Sequence, residues 1–537
     1  MKRELSDFRP LRPGEAEYVE KLAAEDWDAE RFVRIGDGKL PDEGDAARTL
    51  RGDFVRFLAL GGGPGAAPPE TGLRLRGGLI EGELSVEGCR DLRDVELTDC
   101  RFDAAPILRG ASVNLLILSR SVLPGLRADR LETRGGVFLR GSRFSGEARL
   151  AGARIGGDLS CQDARFASGK DKDVALTCDG ARVEGNVNLT AVVAQGQISF
   201  AALEIRRSLV LSGGRFVRPA RNPVALRLDG ASVEGTLFQR SDMRPRRPRR
   251  EVRFQGVVEL TAARLGTIND DPGSWPERRG ALRLDRCTYG AFTGGRTPVD
   301  ADSRLAWLDL HDPATVGADF QPQPYEQLAK VLRETGHAED ARRVLIAKEA
   351  KQRAARRARA SAGLRPALWI RDQLLRVTVR YGRVPTLAFA WLFGLWILGA
   401  AVFHDAAEAG AMKPNNPFIL RSPEWAFCAH PDGEAVIARE KNPTGTGRSE
   451  DGHRTRIDCF LAQPEAQPFP RFDVWAYSAD TLFPLVDLEM QDHWIPDETH
   501  SWPYAEATRA YLWIHVGLGW ALSLLAVAGF SGIAKSD

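Results

Sequence analysis

The chain has almost no excess of either charge: 74 lysines and arginines face 72 aspartates and glutamates over 537 residues. That balance excludes a protein whose whole surface is built to hold nucleic acid, so any electrostatic role must be local. The first ten residues, MKRELSDFRP, contain no apolar stretch, and no cleavable signal peptide is expected there. Cysteine is scarce, at seven residues, and no CxxC pair occurs. Five of them (Cys89, Cys100, Cys161, Cys178 and Cys287) precede residue 300 and read as small core or turn residues of a cytoplasmic part. The phosphate loop of nucleotide hydrolases, the GxSxG elbow and the HExxH pair are all missing. GGGPGAAP at 61–68 is broken by Pro64 and Pro68 and reads as a linker.

Two long runs lack charge altogether: VPTLAFAWLFGLWILGAAVF (384–403) and AYLWIHVGLGWALSLLAVAGFSGIA (510–534). At 1.5 Å per residue, roughly twenty residues reach about 30 Å, the thickness of a bilayer's hydrocarbon core. Each run is therefore expected to cross a membrane as a helix. Between Arg342 and Arg383 stand 13 lysines and arginines against two acids, Glu349 and Asp372. Such a cluster before a span stays inside, which predicts a multi-pass protein of the bacterial inner membrane with both termini cytoplasmic and 404–509 outside. Within the cluster, Leu364, Leu368, Trp369, Leu375 and Val379 recur at near-helical spacing. An interfacial helix is expected there, with Arg365, Arg371, Arg376, Arg380 and Arg383 on anionic headgroups.

Self-similarity dominates what is present. In GVFLRGSRFSGEARLAGARIGGDLSCQDARF (136–166), Leu139, Leu150 and Cys161 recur 11 residues apart, as do Phe144, Ile155 and Phe166. The register resumes at Leu189, Phe200 and Leu211, and at Ala194, Ile205 and Phe216; Leu97 and Leu108, with Phe102 and Val113, show it earlier. Longer echoes begin at 175 (ALTCDGARVEG), 225 (ALRLDGASVEG) and 281 (ALRLDRCTYG). Two strand–turn pairs consume 11 residues, so two such units make a coil of about 22, and stacked coils bury what one alone cannot. The 53 glycines and the absence of a 3.6-residue period exclude a helical solenoid. The pattern resembles the pentapeptide-repeat and related bacterial β-helix proteins, with a five-plus-six period in place of a strict five. That resemblance implies a mainly β fold, a right-handed parallel β-helix.

The organisation expected is an N-terminal helical cap over 1–70, from PGEAEYVEKLAAE and AARTLRGDFVRFLAL, then the solenoid over 71–300. Residues 320–383 follow as a helical hairpin turning at Gly336, similar to one tetratricopeptide-type unit, plus the basic juxtamembrane helix. Two membrane helices flank the outer loop.

That loop holds Cys428 and Cys459, 31 residues apart, and a disulfide is expected between them in an oxidising compartment. Zinc ligation with His430 and His453 is the competing reading. Before the second run lies FDVWAYSADTLFPLVDLEMQDHWIP (472–496), amphipathic over 472–490. Its place resembles the pore helix of two-transmembrane potassium-channel-like proteins, where an aromatic-Ser-x-x-Thr segment leads into a glycine filter. Tyr477, Ser478 and Thr481 match that segment, but FPLVD, with Pro484 and Asp487, stands where the glycines belong. A ring of inward carbonyls is not expected from it. The simpler expectation is an interfacial helix packed beside the two spans.

Two further clusters are less pointed. Asp309, His311 and Asp312 could form a metal or acid–base group, or a polar turn. MRPRRPRR (243–250) carries prolines that bar it from a strand, so it reads as a loop, solvated or turned to anionic lipid or RNA.

YEQLAKVLRETGHAEDARRVLIAK, RYGRVP, YSADTLFPLVDL and VAGFSGI together resemble a group of bacterial membrane proteins with this architecture, often labelled "membrane-associated oxidoreductase". From the residues, the first expectation is a membrane-anchored scaffold presenting the β-helix to a cytoplasmic protein. The second is a degenerate ion-channel-like or sensory module, forming homo-oligomers. Oxidoreductase activity is the third, implied by the group's label alone. The lipid bilayer is a partner in each; no cofactor, metal or nucleic acid is expected.

Overall fold

The repeating element is a coil of four short strands. Glu132–Thr133, Val137–Phe138, Arg143–Phe144 and Ala148–Arg149 follow one another at alternating steps of five and six residues. Glu132 then lies parallel to Arg154, Val137 to Leu159, Arg143 to Arg165 and Leu126 to Ala148, each partner 22 residues on. The five-plus-six period thus gives a four-sided parallel β-solenoid. The third face stacks nine strands among the described residues, hence about nine coils. The structure is a computed structural model that describes residues 4–26, 28, 32–169, 172–311, 320–428 and 456–530. The chain divides into two units, Met1–Arg359 and Ala360–Asp537.

Each coil stacks its inward residues on the next, and this stacking is the core. Leu139, Leu150 and Cys161 are fully buried at the corners, and Phe144 and Phe166 stack at 4.9 Å. Corners place one residue in the left-handed region, Gly152 at φ +66° and Ala202 at φ +51° among them, which explains the small residues between the apolar positions. Cys100, Cys161 and Cys287 are enclosed, and burial pushes their thiols up to about 12, so they stay protonated and inert.

Two coils are longer. Arg154 pairs with Arg182 and Glu204 with Ser232, 28 residues on, because the corner after the third face grows into 168–173 and 218–223. The echoes at 175 and 225 are the strands that follow these long corners.

The N-terminal cap departs from two plain helices. Helix α1 is Pro13–Ala23 and α2 is Gly52–Ala59. Thr49–Arg51, expected as the first half of α2, is instead a strand parallel to Leu79–Glu81, and Val33–Arg34 pairs with Leu75–Arg76. The solenoid therefore begins inside the region expected as cap. The reason is local: a side chain on Gly52 would overlap the Glu83 carbonyl, so the chain turns into α2 only where it abuts the next coil. Glu15, fully buried on α1, accepts N–H bonds from Arg12 and Arg51 and the Arg51 guanidinium.

At the other end, α3 (Ala301–Leu308) closes the last coil. Its Arg304 forks onto Asp270 at 2.9 and 3.0 Å, with both side chains 1 % exposed. Phe292 lies 3.7 Å beneath the guanidinium, and Trp275 Nε1 donates to the same carboxylate at 2.8 Å. Helices α4 (Gln323–Glu334) and α5 (Ala338–Arg359) form a hairpin through Gly336 at φ +89°. Gln323 and Gln327 donate side-chain amides to the Cys287 and Tyr289 carbonyls, which covers the edge of the final strand, Thr288–Phe292. The hairpin belongs to the solenoid unit, so the expected linker 320–383 is divided at Arg359.

The 243–250 segment is a loop, but an anchored one. Arg244 forks onto Asp163 at 2.9 Å through both terminal nitrogens and also holds Asp242. The Arg244 bond holds the Asp163 carboxyl below its ordinary 3.8. A depressed carboxylate stabilises above its unfolded pKa and releases that stabilisation as pH falls through the lower folded value. Protection of the 243–250 amides relative to their intrinsic exchange rates is therefore expected to fall below about pH 4 while the 132–160 coils stay protected. Equal protection of the loop at pH 3 and pH 6 would contradict the anchor.

Candidate functional site: a segment inserted between two apolar helices

In the second unit, α6 (Arg365–Val379) precedes α7 (Thr386–Glu408), and α9 (Ala505–Phe530) closes the described chain. Helices α7 and α9 are each long and apolar enough to cross a membrane. Between them in sequence lies α8, Val474–Leu482, capped by the Asp473 carboxylate at the Ala476 N–H.

Helix α8 packs against both long helices. Tyr477 meets Phe403 edge-on at 4.8 Å, near one end of the uncharged run of α7. One residue on, the Ser478 hydroxyl donates to the Trp396 carbonyl at 2.8 Å. Leu482 joins Leu392 and Leu522 in one cluster, so the tip reaches past the midpoint of 384–403 counted from Phe403. Two glycines admit this approach. A methyl on Gly399 would overlap the Ser478 hydroxyl and the His515 ring, and one on Gly519 would overlap the Leu482 carbonyl.

The buried groups form a small polar network. His515, 0 % exposed, places Nε2 3.3 Å from the Ser478 carbonyl and Nδ1 3.2 Å from the Tyr511 hydroxyl. Thr481 donates back to the Tyr477 carbonyl at 2.8 Å. Asp480, buried, accepts N–H bonds from Leu488 at 2.7 Å and Gln491 at 2.8 Å. Those bonds tie the return limb, 483–489, to α8 at the depth of Asp480. Thereafter Trp494–Pro496 pairs antiparallel with Met412–Pro414, just past the end of α7.

The limb itself is uncovered. Leu485 is 94 % exposed, and Val486, Asp487, Leu488 and Glu489 are also exposed, with Glu489 at φ +59°. Pro484 is half-buried. The sequence-predicted residues thus separate: Tyr477, Ser478 and Thr481 are buried anchors, whereas Asp487 is exposed on the limb.

The other candidates resolve individually. Cys428 and Cys459 are joined by a disulfide, which removes both as zinc ligands; His430 and His453 lie outside the described residues. Leu375 and Val379 of α6 pack against Ala388 and Ala526, while Trp369, Ile370, Leu374 and Val377 form an exposed stripe. Arg365, Arg371, Arg376 and Arg380 are exposed and Arg383 half-buried; Arg380 closes α6 in the left-handed region. Asp309 pairs with Lys351, and His311 instead bridges to Leu282 and accepts the Leu284 N–H at 3.0 Å, so the two do not converge; Asp312 is outside the described residues. No group of three potential metal ligands occurs among the described residues.

Sequence reasoning passed over His515, Asp480, Gly399 and Gly519. A lone histidine inside an uncharged run, five residues after its start, was the available signal. No protein-family model, curated protein or solved structure matches the chain.

Proposed function

We propose that this chain forms an oligomeric membrane module with two spans and one re-entrant segment, assembled around a water-filled vestibule, with the solenoid as its cytoplasmic interaction surface. The observation that carries the reading is the return limb. Non-helical backbone at membrane depth survives only where protein covers it or water reaches it, because lipid cannot hydrogen-bond its amides. Residues 485–489 carry Asp487 and Glu489 and are exposed among the described residues. Charges at that depth face a bundle interior or an aqueous cavity. The absence of filter glycines argues for a vestibule or sensory role rather than selective potassium conduction.

Two further observations support the topology. The free thiols Cys89, Cys100, Cys161, Cys178 and Cys287 all lie in the solenoid unit, whereas the disulfide lies between the spans, as two redox compartments would have it. The stripe Trp369, Ile370, Leu374 and Val377, flanked by arginines, suits an inner-leaflet surface.

The test is the mass of the detergent-purified protein by light scattering, combined with thiol labelling of Leu485→Cys and Phe389→Cys variants. A multiple of the chain mass, with residue 485 labelled by a membrane-impermeant maleimide and residue 389 not, is expected. A monomer with residue 485 unlabelled would sink the reading. The spectrum of the same peak bears on the oxidoreductase activity implied by the resemblance: visible absorption would favour it.

A scaffold reading has its own observation. On the first face Glu132, Arg154, Arg182 and Glu204 stack one per coil, tied by ion pairs into a regular charged surface. Crosslinked partners that persist after deletion of the solenoid would remove that reading.

A further inference from the structure

The corners between the third and fourth faces alternate in size. After the long corners 168–173 and 218–223, the following coils turn through a single glycine, Gly196 at φ +132° and Gly256 at φ +152°. A Cβ on Gly256 would come within 2.7 Å of Arg218 Cβ, so this corner is sunk beneath the long one before it. The depression beside Gly256 is a cleft of about 880 Å³, within the range of small-ligand sites.

Its walls gather four arginines. Several solenoid arginines are matched, Arg149 with Asp129, Arg154 with Glu132 and Arg206 with Glu234, and others stand singly. Here Arg218, whose guanidinium donates to the Pro219 carbonyl at 3.3 Å, lines the cleft with Arg253, Arg278 and Arg279 and one acid, Glu277. Among the described residues Arg278 and Arg279 have no side-chain partner, and Arg253 has only a 3.8 Å contact with Glu251 between exposed groups. Four guanidinium groups lining one cleft repel one another, and a multivalent anion offsets that repulsion.

The cleft floor adds a second element. Phe254 stacks on Phe216 at 4.9 Å, with the rings 13° from parallel. Among the described residues the third face ends at Arg253–Gln255, so no further coil stacks a ring on the other side of Phe254, which is half-buried. A planar ligand placed there would continue the stack.

We propose that this cleft binds a nucleotide-class ligand, its aromatic ring on Phe254 and its phosphates on Arg218, Arg253, Arg278 and Arg279. Guanidinium forks match phosphate oxygens two at a time, and an aromatic face accepts any base. The site is independent of the membrane reading above.

The test is calorimetric titration of the detergent-purified full chain with ATP, AMP, adenosine and inorganic tripolyphosphate, without magnesium. ATP is expected to bind at least about tenfold tighter than adenosine or tripolyphosphate, since either probe forfeits one set of contacts. Arg278→Glu/Arg279→Glu should weaken ATP by about tenfold or more, with melting unchanged because both side chains are exposed. Phe254→Leu should weaken ATP but leave tripolyphosphate unaffected. Equal affinity for ATP and tripolyphosphate would overturn the nucleotide assignment, and ATP binding untouched by the double charge reversal would overturn the site. Tighter retention of a single-stranded oligonucleotide than of ATP would overturn it in favour of a polymer.

Discussion

Arg304→Met is expected to destabilise the solenoid by about 3–5 kcal/mol, the cost of stranding one charge of a buried pair. Arg304 and Asp270 are each 1 % exposed, so solvent cannot take over the role of either. Removing the guanidinium leaves the Asp270 carboxylate with Trp275 Nε1 as its remaining side-chain donor. It also removes the cation that Phe292 faces at 3.7 Å. The loss should be regional, because coils interact with nearest neighbours only. Hydrogen exchange should show 264–292 losing protection while 132–160 retain theirs. Arg304→Met/Asp270→Asn should recover most of the stability, since the amide is neutral and its oxygen still accepts from Trp275. A single variant within about 1 kcal/mol of the parent would show that water reaches the pair.

Cys428→Ser should remove about 3–4 kcal/mol from the second unit, by the loop-entropy estimate for a closure of this length. The cysteines are 31 residues apart, and both are buried in a cluster with Trp425, Ile457 and Phe460. The bond joins the two short helices Pro423–Phe427 and Arg456–Leu461. The expected readout is a lower melting temperature for the variant, matched by the parent protein under reductant. Identical melting with and without reductant would mean that Trp425, Phe460 and Phe469 hold the cluster unaided.

The solenoid was legible because its stabilising contacts repeat: Phe144 and Phe166 stack one coil apart, and the 11-residue recurrence is that spacing halved. The long echoes were visible without their meaning, because an extended corner changes coil length and leaves the strands alone. Thr49–Arg51 was misread as helix because its pairing partner, Leu79–Glu81, lies thirty residues downstream and leaves no local trace. The contacts of α8 were hidden for a similar reason. Tyr477, Ser478 and Thr481 have amphipathic spacing on an interface and between helices alike, and only the glycines opposite decide which. Gly399 and Gly519 are ordinary residues for an apolar helix until the Ser478 hydroxyl and the Leu482 carbonyl are placed against them. The cleft beside Gly256 was hidden because Arg218, Arg253, Arg278 and Arg279 are dispersed over sixty residues of sequence.

The alternation of five and six makes the solenoid a counted object. Removing 132–153, one whole coil, would seat Arg154 where Glu132 lay, shorten the stack by about 4.8 Å, and leave every downstream side chain facing its former direction. Removing five or six residues would delete one wall and rotate everything beyond it by a quarter turn, carrying the guanidinium-lined cleft to a different side. Length can therefore drift in this protein only by whole coils if azimuth is to be preserved, and corners such as 168–173 and 218–223 are where sequence can be added at no cost to either.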